Sequence, residues 1–208
     1  MNPLPLPGGV WAVASGVRGP ADARGWADSA AAADAWTFRL PACNEKEALA
    51  ALRILAGGGK TLAVHARGDW ARACQAAGVI AGSRSLPLPV LRRLFPGLAC
   101  GASVHSLEEG ARAVEEGADF LLFGPVWNTP SKEGILAARG TGLLARLCGK
   151  HRVPVAAIGG IRREAQVREC RAAGAYGVAV LRAARHPALL GSLVRAWREG
   201  INSSERES

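Results

Sequence analysis

One of only four lysines in a chain with 22 arginines, Lys132, lies in "FGPVWNTPSKEG" (residues 123–134). This loop of glycine, proline and hydroxyl residues directly follows the apolar run "DFLLF". An ammonium on a flexible stem meets an anion as a mobile point charge, without the two-pronged geometry of a guanidinium. Thr129 and Ser131 add hydroxyl donors beside it. A solvated loop lysine is the ordinary alternative, but a Gly/Pro loop at a strand end makes contact with an anion the expectation. A second stretch, "AIGGI" (157–161), ends another apolar run with Gly159 and Gly160. Paired glycines let backbone approach a ligand, and the helix that follows presents free N–H groups to an anion. "VLRAA" (180–184) contributes the backbone of Leu181, Arg182 and Ala183 together with a guanidinium. His65 and His105 each close an apolar run. A histidine at the mouth of a site can act as acid or base near neutral pH. For His105 a hydrogen bond to backbone is the favoured reading. Arg39 and Ser103 also stand at run ends, where each can meet a ligand or serve its own loop.

Those residues need a scaffold that gathers strand ends. One phrase recurs, a helix ending in small residues, a Gly or Asp, then an apolar strand. It is seen in "AAADAWTF" (31–38), "QAAGVIAG" (75–82), "EEGADFLLFG" (115–124) and "RAAGAYGVAV" (171–180). Glycine relieves a left-handed helix C-cap, and the run after it suits a buried strand. Filling the intervals yields strands at 10–14, 35–39, 60–65, 79–81, 99–103, 120–123, 154–158 and 177–180. Ser106 with Glu109 three residues on predicts a capping box, and Pro87 and Pro187 sit where helices begin. Eight strands alternating with eight helices predict a single (β/α)8 TIM barrel over 1–199, with a frayed polar tail at 200–208. An open doubly wound sheet calls for a glycine-rich turn after the first strand, of which "AVASGVRG" is a weak version.

The bulk composition narrows the partners. The net charge is +9, yet the arginines are spread along the chain, which favours a small anionic ligand over nucleic acid. No apolar run approaches the ~20 residues of a membrane span, and the first residues make a poor signal peptide. Five scattered cysteines without a C-x-x-C pair suit reduced thiols in the cytoplasm rather than zinc or disulfides.

"GASVHSLEEGARAVEEGADFLLFGPVWNTPSKEG" (101–134), "VPVAAIGGI" (153–161) and "AGAYGVAVLRAA" (173–184) resemble the thiamine-phosphate synthase and thiazole tautomerase superfamily. The resemblance is specific over about 98–184 and looser over 10–97. It implies a TIM barrel, thiamine biosynthesis and a thiazole phosphate ligand. By position it puts phosphate-binding backbone at Gly159, Gly160 and 181–183, the loop threonine at Thr129, a pyrophosphate-contacting lysine at Lys132, and a ligand serine at Ser103. The synthase joins an aminopyrimidine diphosphate to the thiazole phosphate, and magnesium held by carboxylates stabilises the departing pyrophosphate. The family's "QLREK" reads "TFRLP" here (37–41), which keeps Arg39. Its "ND" reads "HA" (65–66) and its "HLGQED" reads "IAGSRS" (80–85), so both metal-binding aspartates are replaced, by Ala66 and Ser85. Asp69 is the nearest remaining carboxylate.

These departures favour the metal-free tautomerase, which moves a proton on a carboxylated thiazole phosphate, and "RG" at 139–140 also looks more like that branch. The tautomerase's histidine position is Pro125 here, so His65 or His105 is expected to carry the proton. On this reading no cofactor is expected, and Mg2+ enters only with the synthase alternative. A third reading is a non-catalytic binder of thiazole or thiamine phosphate. The expected partner is a small phosphorylated thiazole, with no nucleic acid and no membrane, and homo-oligomer formation is left open.

Overall fold

The computed structural model describes residues 6–41, 44–130 and 136–204. Its eight strands pair in parallel and in sequence order, β8 returning to β1, to close one barrel. The strands are β1 (Gly9–Ser15), β2 (Ala35–Arg39), β3 (Thr61–His65), β4 (Gly78–Ala81), β5 (Ala99–Val104), β6 (Phe120–Phe123), β7 (Val155–Ile158) and β8 (Gly177–Val180). Between them run α1 (Pro20–Ser29), α2 (Glu45–Ala56), α3 (Gly68–Ala73), α4 (Leu88–Leu94), α5 (Leu107–Glu115), α6 (Gly140–Lys150) and α7 (Glu164–Ala172). A short 3-10 turn (Ala183–Arg185) precedes α8 (Pro187–Ser204). The TIM barrel expected from the repeating phrase is the fold observed. Helix α8 carries helical structure to Ser204, into the stretch expected to be a tail.

The recurring phrase works in two ways. Gly117 and Gly174 take left-handed conformations after α5 and α7 (φ +90° and +83°), the C-cap role assigned to glycine. After α3 the left-handed residue is Gln75 (φ +53°) instead, and Gly78 opens β4. There an added Cβ would stand 2.6 Å from the Ala99 carbonyl oxygen, so Gly78 serves close strand approach rather than a cap. The aspartates of the phrase have a second function. Asp34, just before β2, accepts from the Val10 amide at 2.8 Å, and Asp119, just before β6, accepts from the Cys100 amide at 2.7 Å. Each also meets an arginine, Arg198 and Arg92 respectively. A carboxylate therefore ties the start of a strand to the start of its neighbour at two places around the barrel.

Strand side chains alternate between an outer layer packed on the helices and an inner layer filling the barrel. The inner layer includes Trp11, Val13, Ala35, Ala63, Ile80, Phe120, Leu122 and Ala179. Trp11 and Phe120 meet edge to face at 5.8 Å, and Gly101 makes room for them: a Cβ there would lie 2.3 Å from the Phe120 ring. Leu6 and Pro7 cross beneath, their carbonyls bonded by Tyr176 Oη (3.1 Å) and Trp11 Nε1 (2.7 Å). Side chains thus close this end of the barrel, and Arg39, His65 and Ser103 stand at the opposite one.

At the start of α5 the Ser106 hydroxyl accepts from the Glu109 amide at 3.1 Å, as the capping pattern predicts. The Glu109 carboxylate returns one residue further than expected, to the His105 amide at 2.7 Å. Four cysteines among the described residues are free thiols, and burial pushes Cys148 up to about 11 and Cys170 up to about 12, so these two stay protonated at neutral pH. No helix among the described residues is long and apolar enough to cross a membrane.

Candidate functional site

Period-two alternation carries the inner face of each strand up to the C-terminal end of the barrel. Continuing from Ala35 and Ala63, the inward positions at this end are Arg39 and His65. Ser103 is inward on β5 and only partly buried, its Cβ 3.9 Å from where a Cβ on Gly82 would lie. Arg39, His65 and Ser103, three of the polar residues chosen from sequence, therefore stand at one rim.

His65 is part-buried at the end of β3, and its Nε2 lies 3.2 Å from Thr37 Oγ1 on β2. Burial, and secondarily the charge of Arg39, pull its pKa from 6.5 down to about 4, so the ring is neutral at physiological pH. Arg39 has no carboxylate within ion-pair distance among the described residues. His105 lies two strands away, roughly 10 Å at the usual strand spacing. Its Nδ1 is bonded to the Gly124 carbonyl. A carbonyl only accepts, so Nδ1 carries a proton. The favoured backbone role for His105 is thus present, and the two histidines do not form a pair.

Gly159 and Gly160 are both left-handed (φ +102° and +73°). A Cβ on Gly159 would fall 2.5 Å from Pro125 Cβ, and one on Gly160 would fall 2.6 Å from Trp127 Cβ. Val126 N bonds Ile158 O at 2.9 Å and Trp127 N bonds Gly159 O at 3.0 Å, so the loop after β6 is laced along the end of β7. Its far end is held too, by Arg139 N to Pro125 O and Gly140 N to Val126 O. The glycines are therefore required for loop packing, and the Arg162 and Arg163 amides at the start of α7, expected to be free for an anion, are capped from within the chain. Gln166, 4 % exposed, shapes the β7–α7 turn: its Oε1 accepts from the Arg162 and Arg163 amides and its Nε2 donates to the Gly160 carbonyl. Leu181 is partly buried, Arg182 is exposed and Ala183 is buried as it opens the 3-10 turn on the adjoining edge. Thr129 is partly buried beyond Trp127, whereas Ser131 and Lys132 lie outside the described residues.

Two contributors, Thr37 and Gln166, escape a reading of strand ends. Thr37 sits inside a strand, where a threonine passes for an ordinary β-former. Gln166 carried a readable signal, since it stands at the third position of α7, where glutamine reaches back to free amides.

The positions where an implied magnesium would sit do not fit that ion. Ala66 has no side-chain ligand atom. Ser85 Oγ closes its own turn, contacting Gly82 N, Gly82 O and Leu86 O at 3.0, 2.9 and 2.8 Å. Asp69 and Glu45 are both engaged by Arg67, at 2.7 and 2.8 Å. No group of three or more His, Cys, Asp or Glu able to hold a metal occurs among the described residues.

Comparison with known proteins agrees with this barrel. A thiamine-phosphate synthase from Methanoculleus marisnigri is 36% identical over 171 residues, 81% of each chain. One from Methanocella arvoryzae is 42% identical over 126 residues, 60% of this chain and 59% of the relative. The solved structure of thiamine phosphate pyrophosphorylase from Pyrococcus furiosus superposes with a TM-score of 0.78 at 26% identity, covering 94% of this chain and 97% of that one. The family described as thiamine monophosphate synthase, TMP-TENI, matches residues 37–184, and the chain belongs to that family.

Proposed function

We propose that the chain serves thiamine biosynthesis as a barrel of the thiamine-phosphate synthase type, holding a thiazole phosphate with its phosphate against the ends of β7 and β8. The observation that carries the reading is the Gly159–Gly160 turn, shaped by Gln166 and adjoined by the 181–183 loop, on the rim that also holds Arg39 and Ser103. Coupling to an aminopyrimidine diphosphate is the reaction that the relatives' names favour over the tautomerase first expected. In it the thiazole nitrogen forms a bond to the pyrimidine methylene carbon while the carbon–oxygen bond to diphosphate breaks. Charge then accumulates on the diphosphate oxygens, and stabilising that charge is the main demand on the site. Because magnesium does not fit the residues present, the groups of this chain that meet the demand are cationic side chains, Arg39 at the rim and Lys132 on the loop.

A metal-free proton shift on a carboxylated thiazole phosphate is the second reading. The carboxylate-free rim at Ala66 and Ser85 favours it, and His105, its Nδ1 bonded to the Gly124 carbonyl, has Nε2 left to handle the proton. A single assay separates the two. Aminopyrimidine diphosphate and thiazole phosphate are incubated with the chain, with magnesium or with chelator, beside an active synthase. Product in both arms supports metal-free coupling. Product only with magnesium keeps the coupling and removes the cation account. No product, with proton exchange on the carboxylated thiazole, supports the second reading. Thiazole phosphate binding without either reaction identifies a binding protein.

A further inference from the structure

We propose that Thr37 positions His65 as a neutral hydrogen-bond donor with its proton on Nδ1, so that β2 and β3 offer the ligand donors and no base. Thr37 is 0 % exposed on the inner face of β2, one step below the rim. A buried hydroxyl must place its proton on an acceptor. Among the described residues the one polar side-chain atom at hydrogen-bond distance from Thr37 Oγ1 is His65 Nε2, 3.2 Å away. If Nε2 carried a proton, Oγ1 would accept it, and the threonine's own proton would be left without a side-chain acceptor among the described residues. The hydroxyl therefore donates to the Nε2 lone pair, and the ring proton resides on Nδ1. A doubly protonated ring would break the same arrangement, in keeping with the depressed pKa of His65.

Nδ1–H meets no acceptor among the described residues, and neither does the adjoining Arg39 guanidinium. Together they match an acceptor-rich anionic group, a carboxylate or a phosphoryl oxygen, at a place on the rim distinct from the β7–β8 edge. A neutral imidazole whose second nitrogen is already bonded is a poor acid and a poor base, so His65 binds and orients rather than transferring a proton. This ligand role rests on reading the rim as the substrate site. The tautomer does not.

The test reads the tautomer directly, from long-range proton–nitrogen spectra of the labelled, substrate-free protein, with the His65 signals assigned by their loss in His65→Gln. The expected spectrum shows protonated Nδ1 and unprotonated Nε2, unchanged between pH 5.5 and 8. Thr37→Ser retains that pattern, and Thr37→Val shifts the ring toward the Nε2–H form that a free imidazole prefers. A wild-type ring protonated on Nε2, a titration near 6.5, or a folded Thr37→Val protein with the wild-type pattern overturns the proposal. Should the valine variant fail to fold, the wild-type spectrum and the serine variant still decide. Because no substrate is present, an inactive coupling assay leaves this result untouched, and the converse holds as well.

Discussion

Gly159 is wedged against Pro125, with a Cβ-to-Cβ distance of 2.5 Å available to any side chain placed there. Its φ of +102° adds a conformation that side chains resist. Gly159→Ala is therefore expected to cost about 1–3 kcal/mol and to lift the β6–α6 loop from β7. Thiazole phosphate affinity, measured by calorimetry, falls with it. Unaltered affinity in a folded variant would detach this turn from the phosphate.

Lys132→Ala tests the loop cation. The expected outcome is a strong loss of ligand affinity or turnover with a nearly unchanged thermal midpoint, read by calorimetry and thermal unfolding side by side. A large stability loss at constant affinity would give Lys132 a purely structural task.

His65 makes stability depend on acidity. Its folded pKa of about 4 lies below the ordinary 6.5, so the unfolded chain binds more protons between these values. Stability then rises with pH from about 4 to about 6.5 and gains nothing further above, the full span being up to about 3 kcal/mol. Urea midpoints of wild type and His65→Asn, compared from pH 4 to 7.5, should diverge in slope across that window. Parallel slopes would show that His65 titrates normally.

Asp34→Ala removes the acceptor of the Val10 amide and the partner of Arg198. Leaving a partly buried amide without its acceptor costs about 1–3 kcal/mol. The thermal midpoint should drop by several degrees while ligand affinity stays at the wild-type level.

The barrel was legible because the helix-to-strand phrase repeats with the chain's own small residues, and strand ends followed from where each apolar run stops. The rim residues Arg39, His65 and Ser103 were legible for the same reason, since a period of two fixes which face they occupy. What stayed hidden depends on contacts between segments far apart in sequence. Thr37 becomes polar in effect only when β3 brings His65 over it, and Gly159 looks like a ligand glycine until Pro125 is seen against it. Gln75 shows the reverse failure, a left-handed position that a glycine-based expectation assigns to its neighbours. The choice between reactions is harder still. It turns on residues this chain has replaced, where kinship and local chemistry point different ways.

The Trp11–Phe120 contact, with Leu6 and Pro7 crossing beneath it, has a kinetic corollary. A barrel filled from within can be approached only at its rim, so whatever enters last must depart first. For a two-substrate reaction carried out there, binding and release become a stack rather than a flow, and a product lingering at the rim blocks the next arrival. Inhibition by the product that departs last should then be competitive with the substrate that binds first, since both meet the empty site.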